Sequence, residues 1–479
     1  MIKSIPNRPY RETGTDIIFR KGCIPVNDQI YSSATPAIQK LADQARSNDV
    51  IENELYQQYN VKRGLRDLQG RGVLAGLTHV SEVRATKVVD GVRVPDYGKL
   101  VYRGYDIKDL IRGIAARGTF GFEEIAYLLM FGTLPTREEL DIFQDQLIQY
   151  RSLPTGFVRD CIMKAPTKDL MNLLSRSVLM LYAYDDNADD VSLPNVVRQC
   201  MELISRFPLL SVYGYSTMRH YHDEDSLYIL PALDHGSFAE NLLHLLRPNG
   251  TYSELEARAL DAALILHMDH GGGNNSTFTT HVVSSSMTDT YSVVAAALGS
   301  LKGPRHGGAN RKVTEMFRDL EECVNDWEDE DEINAYLAGL LNKEGFDHSG
   351  LIYGVGHAVY SKSDPRAEIL ETFTRDVAAQ KGRSDEFQLH QRVARLAVRQ
   401  IEQKRKIYKG VCPNVDYYSG FLYEMLGLPE ELYTPLFAMA RMVGWSAHRI
   451  EELSNSSKIT RPSFKSIEPD HEYVPMDER

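Results

Sequence analysis

From residue 107 onward the apolar residues recur at helical spacing, and strand-like alternation is almost absent. Phe122, Ile125, Ala126 and Leu129 stand at i, i+3, i+4 and i+7, the signature of one buried helix face. Thr136 with Glu139 forms a capping box ahead of Leu140 and Phe143. Ser253 with Glu256 forms another, opening a helix on which Leu255, Ala259, Ala262 and Leu266 share a face. Strands hardly alternate with helices, so a parallel βαβ sheet is disfavoured and a mainly α fold is expected. The exception precedes this region. In Lys87-Val88-Val89-Asp90-Gly91-Val92-Arg93-Val94 an Asp-Gly pair separates two β-branched runs, which predicts a small β hairpin within 85–107, with Pro95 ending its second strand.

The flanks read differently. Residues 1–50, with prolines at 6, 9, 25 and 36, predict an irregular arm, and the polar stretch from Ile467 to Arg479 a tail that drapes over a partner or solvent. The acidic run Asp326 to Glu332 predicts a solvated helix start, since carboxylates favour helix N-termini.

Composition narrows the function classes. A chain of 479 residues with 43% hydrophobic and 25% charged residues can bury a large core. Its net charge of −12, without a block of Lys and Arg, argues against nucleic acid. The longest apolar stretch, Val293 to Leu298, is far shorter than the roughly 20 residues that span a bilayer. MIKSIPNRPYRETG has no apolar core of a signal peptide, so a cytoplasmic protein without membrane partners is expected. Five cysteines (Cys23, Cys161, Cys200, Cys323, Cys412) show no CxxC spacing and are expected to be reduced.

Chemistry concentrates around three histidines in glycine-rich settings: His270 in MDHGGGNNST, His306 in GPRHGGAN and His357 in GVGHAVYSKSDPR. Glycine lets backbone approach a ligand closely, a freedom that a packed core histidine does not need. Gly307-Gly308-Ala309-Asn310 runs into a helical stretch, which places His306 near a helix N-terminus. A neutral imidazole is favoured there, able to donate to a developing oxyanion; a surface histidine in an N-terminal turn is the plainer reading. His267, Asp269 and His270 offer a rival zinc site that lacks a clear fourth ligand. Asp416, in PNVDYYSG, reads on its own as a helix-capping residue. Arg441 sits in the apolar run LFAMARMVGWSAHRI, where a lone guanidinium is costly unless an anion pairs with it. Arg461, in KITRP, says nothing alone.

Taken together and in order, MDHGGGNNST, GPRHGGAN, GVGHAVYSKSDPR, PNVDYYSG and FAMARMVGW resemble the blocks of the citrate synthase family, including its 2-methylcitrate synthases, from about Tyr102 to Pro462. The resemblance implies a two-domain, mainly α homodimer. A large domain would take residues 1–311 with the arm and hairpin, a small domain 312–418, and 419–479 would return to the large domain and end in a C-terminal arm. The helix from Thr290 to Leu301, rich in alanine, would suit the family's dimer interface. The implied reaction is acetyl-CoA with oxaloacetate to give citrate and CoA, a tricarboxylic acid cycle step, with no cofactor and no metal.

The same resemblance assigns roles. Asp416 would remove a proton from the acetyl methyl group, His306 would donate to the thioester oxygen, and His357 would polarise the oxaloacetate carbonyl. His270, Arg366, Arg441 and the other subunit's copy of Arg461 would bind oxaloacetate; Asn274 and Ser276 would support His306. Leu351, Gly354 and Lys362 would meet CoA. Ser361 stands where some members have an arginine, and Arg305 replaces the usual small or apolar residue. Three other readings remain open at this point: a 2-methylcitrate synthase using propionyl-CoA, a non-catalytic regulatory paralogue, and a metallohydrolase built on His267, Asp269 and His270.

Overall fold

The Asp90-Gly91 pair forms the predicted turn, both residues having positive φ (52° and 76°) as a two-residue hairpin of matching twist requires. It joins β1 (Ser81–Val89) to β2 (Val92–Tyr102) in an antiparallel ladder running from Val89↔Val92 to Ser81↔Tyr102. Pro95 does not end the second strand. It lies opposite Thr86, where the register shifts between Arg84 and Thr86, and a bulge is one of the few places where a strand tolerates a residue without an N–H. A second two-residue turn at Arg103 and Gly104 (φ 47° and 93°) adds β3 (Tyr105–Asp106), so the sheet has three strands. Arg103 is anchored there by donating Nε and Nη2 to the Leu129 carbonyl oxygen.

The computed structural model describes residues 33–67, 72–304, 306–405, 410–455 and 458–479, with only the backbone of Arg93. Cys23 and Arg305 lie outside the described residues. Two units divide the chain, 1–74 and 75–479. In the first, helices Pro36–Asn48 and Asn53–Gln58 correct the expectation of an irregular arm to residue 50. Pro36 occupies the first helical turn, where its missing N–H costs nothing, and the Thr35 side chain caps the Ile38 N–H (3.3 Å).

The second unit is helical beyond the sheet. Both predicted capping boxes form, at Thr136/Glu139 and Ser253/Glu256, and a third forms at Ser237/Glu240. Helix Glu254–His267 is buried from Glu256 onward except at Arg258, so it is a central element rather than the one-faced helix expected. Helix Tyr433–Ser454 packs against it and against Leu193–Asp223, Asn275–Ser284 and Phe122–Phe131. Trp445 is fully enclosed at this junction. The helices between Ala309 and Met425 pack mainly on one another: Ala309–Cys323 and Pro365–Lys381 against Val415–Met425, and Glu330–Asn342 against Ser384–Arg405. The acidic run does open a helix, with Asp329 capping the N–H groups of Asp331 and Glu332. Cys161, Cys200, Cys323 and Cys412 are free thiols. No helix among the described residues is long and apolar enough to cross a membrane.

Candidate active site

The central helix ends at His267, and the chain turns through Asp269, His270 and Gly271. Tyr102 on β2 holds this turn, its hydroxyl 3.1 Å from the carbonyl oxygens of Ile265 and Asp269. Asp269 accepts from Ser81 and from the Gly271 N–H (2.9 Å). Gly444 of the last long helix presses on the same turn. A Cβ at 444 would stand 2.2 Å from the Met268 carbonyl oxygen and 2.7 Å from Asp269 Oδ1, so only glycine permits this crossing. One turn earlier the helix presents Arg441.

Arg441 is fully buried. Its Nε donates to the His267 carbonyl oxygen (2.8 Å), its guanidinium lies 4.7 Å from the Phe437 ring centroid, and Nη1 and Nη2 have no partner among the described residues. Burial pushes it down to about 10, with the Asp269 carboxylate pulling the other way. His270 Nε2 is likewise buried without a partner, and burial with the nearby Arg366 charge holds the ring well below the usual imidazole range. Three buried nitrogen positions therefore lack an acceptor, which is the arrangement an anion would complete.

His357 packs its ring edge on His270 (centroids 5.2 Å apart) and stacks on Tyr360 (4.8 Å). Its Nδ1 accepts the backbone N–H groups of Val359 (3.0 Å) and Tyr360 (3.1 Å). Two donors at Nδ1 leave the proton on Nε2, so the loop itself sets the tautomer. Arg366 lies 5.7 Å from the Tyr360 ring and is buried. Its Nε and Nη2 form a two-pronged ion pair with Asp364 (3.0 and 2.7 Å), the residue that also caps this helix.

Asp416 is not a cap: Asn414 caps helix Val415–Met425, and Asp416 sits in its first turn. Asn414 also donates its side-chain amide to the Gly356 carbonyl oxygen (2.9 Å), tying the Asp416 helix to the His357 loop. Burial pushes the Asp416 carboxyl up to about 6, against the pull of Arg366. His306 Nε2 lies 3.1 Å from Asn274 Oδ1 and 3.3 Å from Ser276 Oγ, and Ser276 Oγ accepts the Trp445 indole N–H (3.1 Å). Burial, then the Arg441 charge, lower His306 to about 4, so it is neutral at pH 7 as its sequence setting suggested.

The zinc reading loses its ligands: His267 Nδ1 bonds to the Ala263 carbonyl oxygen (2.7 Å) and Asp269 turns to Ser81. Of the other expected residues, Leu351 and Lys362 are exposed, Lys362 lying 5.6 Å from the Tyr97 ring, while Gly354 is buried against Tyr417 and Val313. Arg461 is exposed in the C-terminal stretch. Sequence reading missed Tyr360, Asn414, Phe437 and Trp445. Asn414 alone carried a local signal, as an N-cap residue before a helix.

A neutral histidine just before a helix, a carboxylate raised toward neutrality and buried cationic side chains suit an enzyme that moves protons on an anionic substrate. Residues 65–463 match the citrate synthase C-terminal domain, and the chain belongs to the citrate synthase family. It is 35% identical over 430 residues to the citrate synthase of Haloferax volcanii, covering 88% of this chain and 99% of that one. It is 30% identical over 424 residues to 2-methylcitrate synthase 1 of Corynebacterium glutamicum (88% and 98% covered). The ternary complex of carboxymethyl coenzyme A and oxaloacetate with Thermoplasma acidophilum citrate synthase superimposes with a TM-score of 0.70 at 25% identity, covering 87% of this chain and 99% of that one.

Proposed function

We propose that this protein is a citrate synthase, condensing acetyl-CoA with oxaloacetate and hydrolysing citryl-CoA to citrate and CoA. The observation that carries this reading is the pair of unpartnered Arg441 Nη groups beside unpartnered His270 Nε2. A dicarboxylate accepts from these donors, and a guanidinium fork also fixes its orientation. Arg366 contributes differently from the expected second fork. Asp364 takes its Nε and Nη2, so its role is charge at the pocket edge and Nη1 as donor.

Asp416 removes a methyl proton from acetyl-CoA. A carboxylate with an ordinary value of about 3.9 is a weak base for so poor an acid, and the raised value of Asp416 brings it nearer its task. His306 stabilises the enolate oxygen. Its Nε2 is held by Asn274 Oδ1 (3.1 Å) and Ser276 Oγ (3.3 Å), and the Ser276 hydroxyl, which donates to Asn274 Oδ1 (3.0 Å) and accepts the Trp445 indole N–H, ties these groups into one support for the ring. The enolate carbon attacks the oxaloacetate carbonyl, His357 Nε2–H protonates the new alkoxide, and water then cleaves the thioester. Leu351 and Lys362, both exposed, are the residues that meet CoA in this reading, with Gly354 acting through the shape of the loop.

The small domain of this reading is residues 312–418. It carries His357, Arg366 and Asp416, whereas His270, His306 and Arg441 stand on the remainder, so closure assembles the site and binding is ordered, oxaloacetate first. The packing of the helices between Ala309 and Met425 on one another supports that division. The protein acts as a cytoplasmic homodimer. Its stretch after residue 458 is exposed yet carries Ile459, Phe464, Tyr473 and Met476, apolar residues that a partner would cover, with Arg461 reaching the partner's site. Mixing the protein and oxaloacetate with acetyl-CoA or propionyl-CoA and following thiol release tests the assignment. A higher kcat/KM for acetyl-CoA is expected; a propionyl preference makes it a 2-methylcitrate synthase, since one methylene is worth only about 1–3 kcal/mol in a pocket.

A further inference from the structure

Beneath the glycines that follow His270 lies a second group of histidines and carboxylates that the reaction does not use. His281, on helix Asn275–Ser284, and His448, on helix Tyr433–Ser454, meet edge to face with ring centroids 4.9 Å apart. His281 Nδ1 bonds to Glu452 Oε2 (2.7 Å), and His448 Nε2 lies 3.2 Å from Asp269 Oδ1. An ionised carboxylate only accepts, so the His281 proton sits on Nδ1. His281 Nε2 and His448 Nδ1 face each other at 3.0 Å, and a proton on His448 Nδ1 would bond the two rings.

That proton would still leave His448 Nε2, Asp269 Oδ1 and Glu451 Oε2 buried without hydrogen-bond partners, Glu451 Oε2 lying 4.0 Å from His448 Nδ1. His281, His448 and Glu451 can each turn one ligand atom to a common point, these atoms lying within 4.8 Å of one another. Bonds of about 2.0–2.2 Å in a tetrahedral zinc site set donor atoms about 3.4 Å apart; the two ring nitrogens, 3.0 Å apart, stand near that spacing, and Glu451 Oε2, 4.0 Å from His448 Nδ1, would swing inward to reach it. Three carboxylates, Asp269, Glu451 and Glu452, surround the pair against two guanidinium groups, Arg103 near Glu451 and Asp269 and Arg441 near Asp269. Each histidine also has a carboxylate on its outer ring nitrogen, the arrangement that orients metal-bound imidazoles.

We infer that His281, His448 and Glu451 form a structural zinc site, with water as fourth ligand, that clamps two helices of the core beneath the His270 turn. It lies outside the condensation chemistry, which needs no metal. Two imidazole nitrogens and a carboxylate suit zinc among the divalent ions that cells supply.

The test uses full-length protein without a histidine tag, stripped with chelator, reloaded with Zn2+ and desalted. Metal analysis should find about one zinc per chain. Cobalt loaded in its place should give the visible absorption of a tetrahedral site. Both signals should vanish in His281→Ala and in Glu451→Gln, and Glu452→Gln, which keeps the ligands, should weaken zinc binding about 10–100-fold. Acetyl-CoA turnover by His281→Ala shows that the variant is folded. Reloaded wild-type protein that retains no zinc overturns the proposal in favour of a shared proton, and equal zinc in wild type and both ligand variants overturns it in favour of another site.

Discussion

Replacing Arg441 with methionine exchanges a buried guanidinium for an apolar side chain of similar reach. In the ligand-free protein this charge has one hydrogen bond, to the His267 carbonyl oxygen, and two nitrogens without partners. The fall from 12.5 to about 10 corresponds to about 3 kcal/mol withheld from the charged form. The lost hydrogen bond offsets about 1 kcal/mol of the gain, and methionine keeps contact with Phe437. Arg441→Met is therefore expected to stabilise the ligand-free protein by about 2 kcal/mol, a rise in melting temperature of a few degrees for a chain of this size. Oxaloacetate is expected to stabilise the wild type strongly by mass action, about 2.7 kcal/mol at a hundredfold excess over its dissociation constant, and the variant hardly at all. Calorimetry with and without oxaloacetate reads both quantities. A variant that melts below the wild type without ligand, or that responds to oxaloacetate as the wild type does, refutes the reasoning.

The remaining predictions concern protons and order. Asp416 must be ionised to act as base, so kcat/KM for acetyl-CoA should fall about tenfold per pH unit below about 6. Because its folded value is raised, its contribution to stability is present below pH 3.8 and lost as pH rises through about 6. Asp416→Asn, which cannot ionise, should thus melt higher than wild type at pH 8 and not at pH 4; equal melting at pH 8 contradicts its burial. Trp445→Phe removes the indole N–H that orients Ser276 and should lower kcat several-fold with little change in KM for oxaloacetate, whereas a purely structural role would lower stability and leave kcat in place. Isothermal titration should find acyl-CoA binding far tighter with oxaloacetate present, and equal affinity in its absence argues against domain closure.

Local chemistry made much of the fold legible. Asp90-Gly91 and the Ser or Thr to Glu spacings of the capping boxes act over two to four residues, so their outcome does not depend on distant packing. Ser237 with Glu240 carried the same signal and was overlooked. Pro36 misled because proline breaks a helix interior yet suits its first turn, and Pro95 because a bulge absorbs it. The site was legible where glycine-flanked histidines and a lone arginine in an apolar run announced themselves. The pairing of Arg366 with Asp364 at i−2 and the two N–H groups that set the His357 tautomer depend on loop conformation. Phe437 meets His306, and Trp445 its neighbour Ser276, from a helix well over a hundred residues away, a relation that no local pattern encodes.

The most direct test of the proposed mechanism is citrate formation, followed by NMR with labelled acetyl-CoA and oxaloacetate, in wild type and Asp416→Asn. The mechanism predicts citrate and free CoA in equal amounts from the wild type, and a rate at least about 10²-fold lower from the variant at pH 8. No citrate from the wild type, or near-normal turnover by Asp416→Asn, would contradict it.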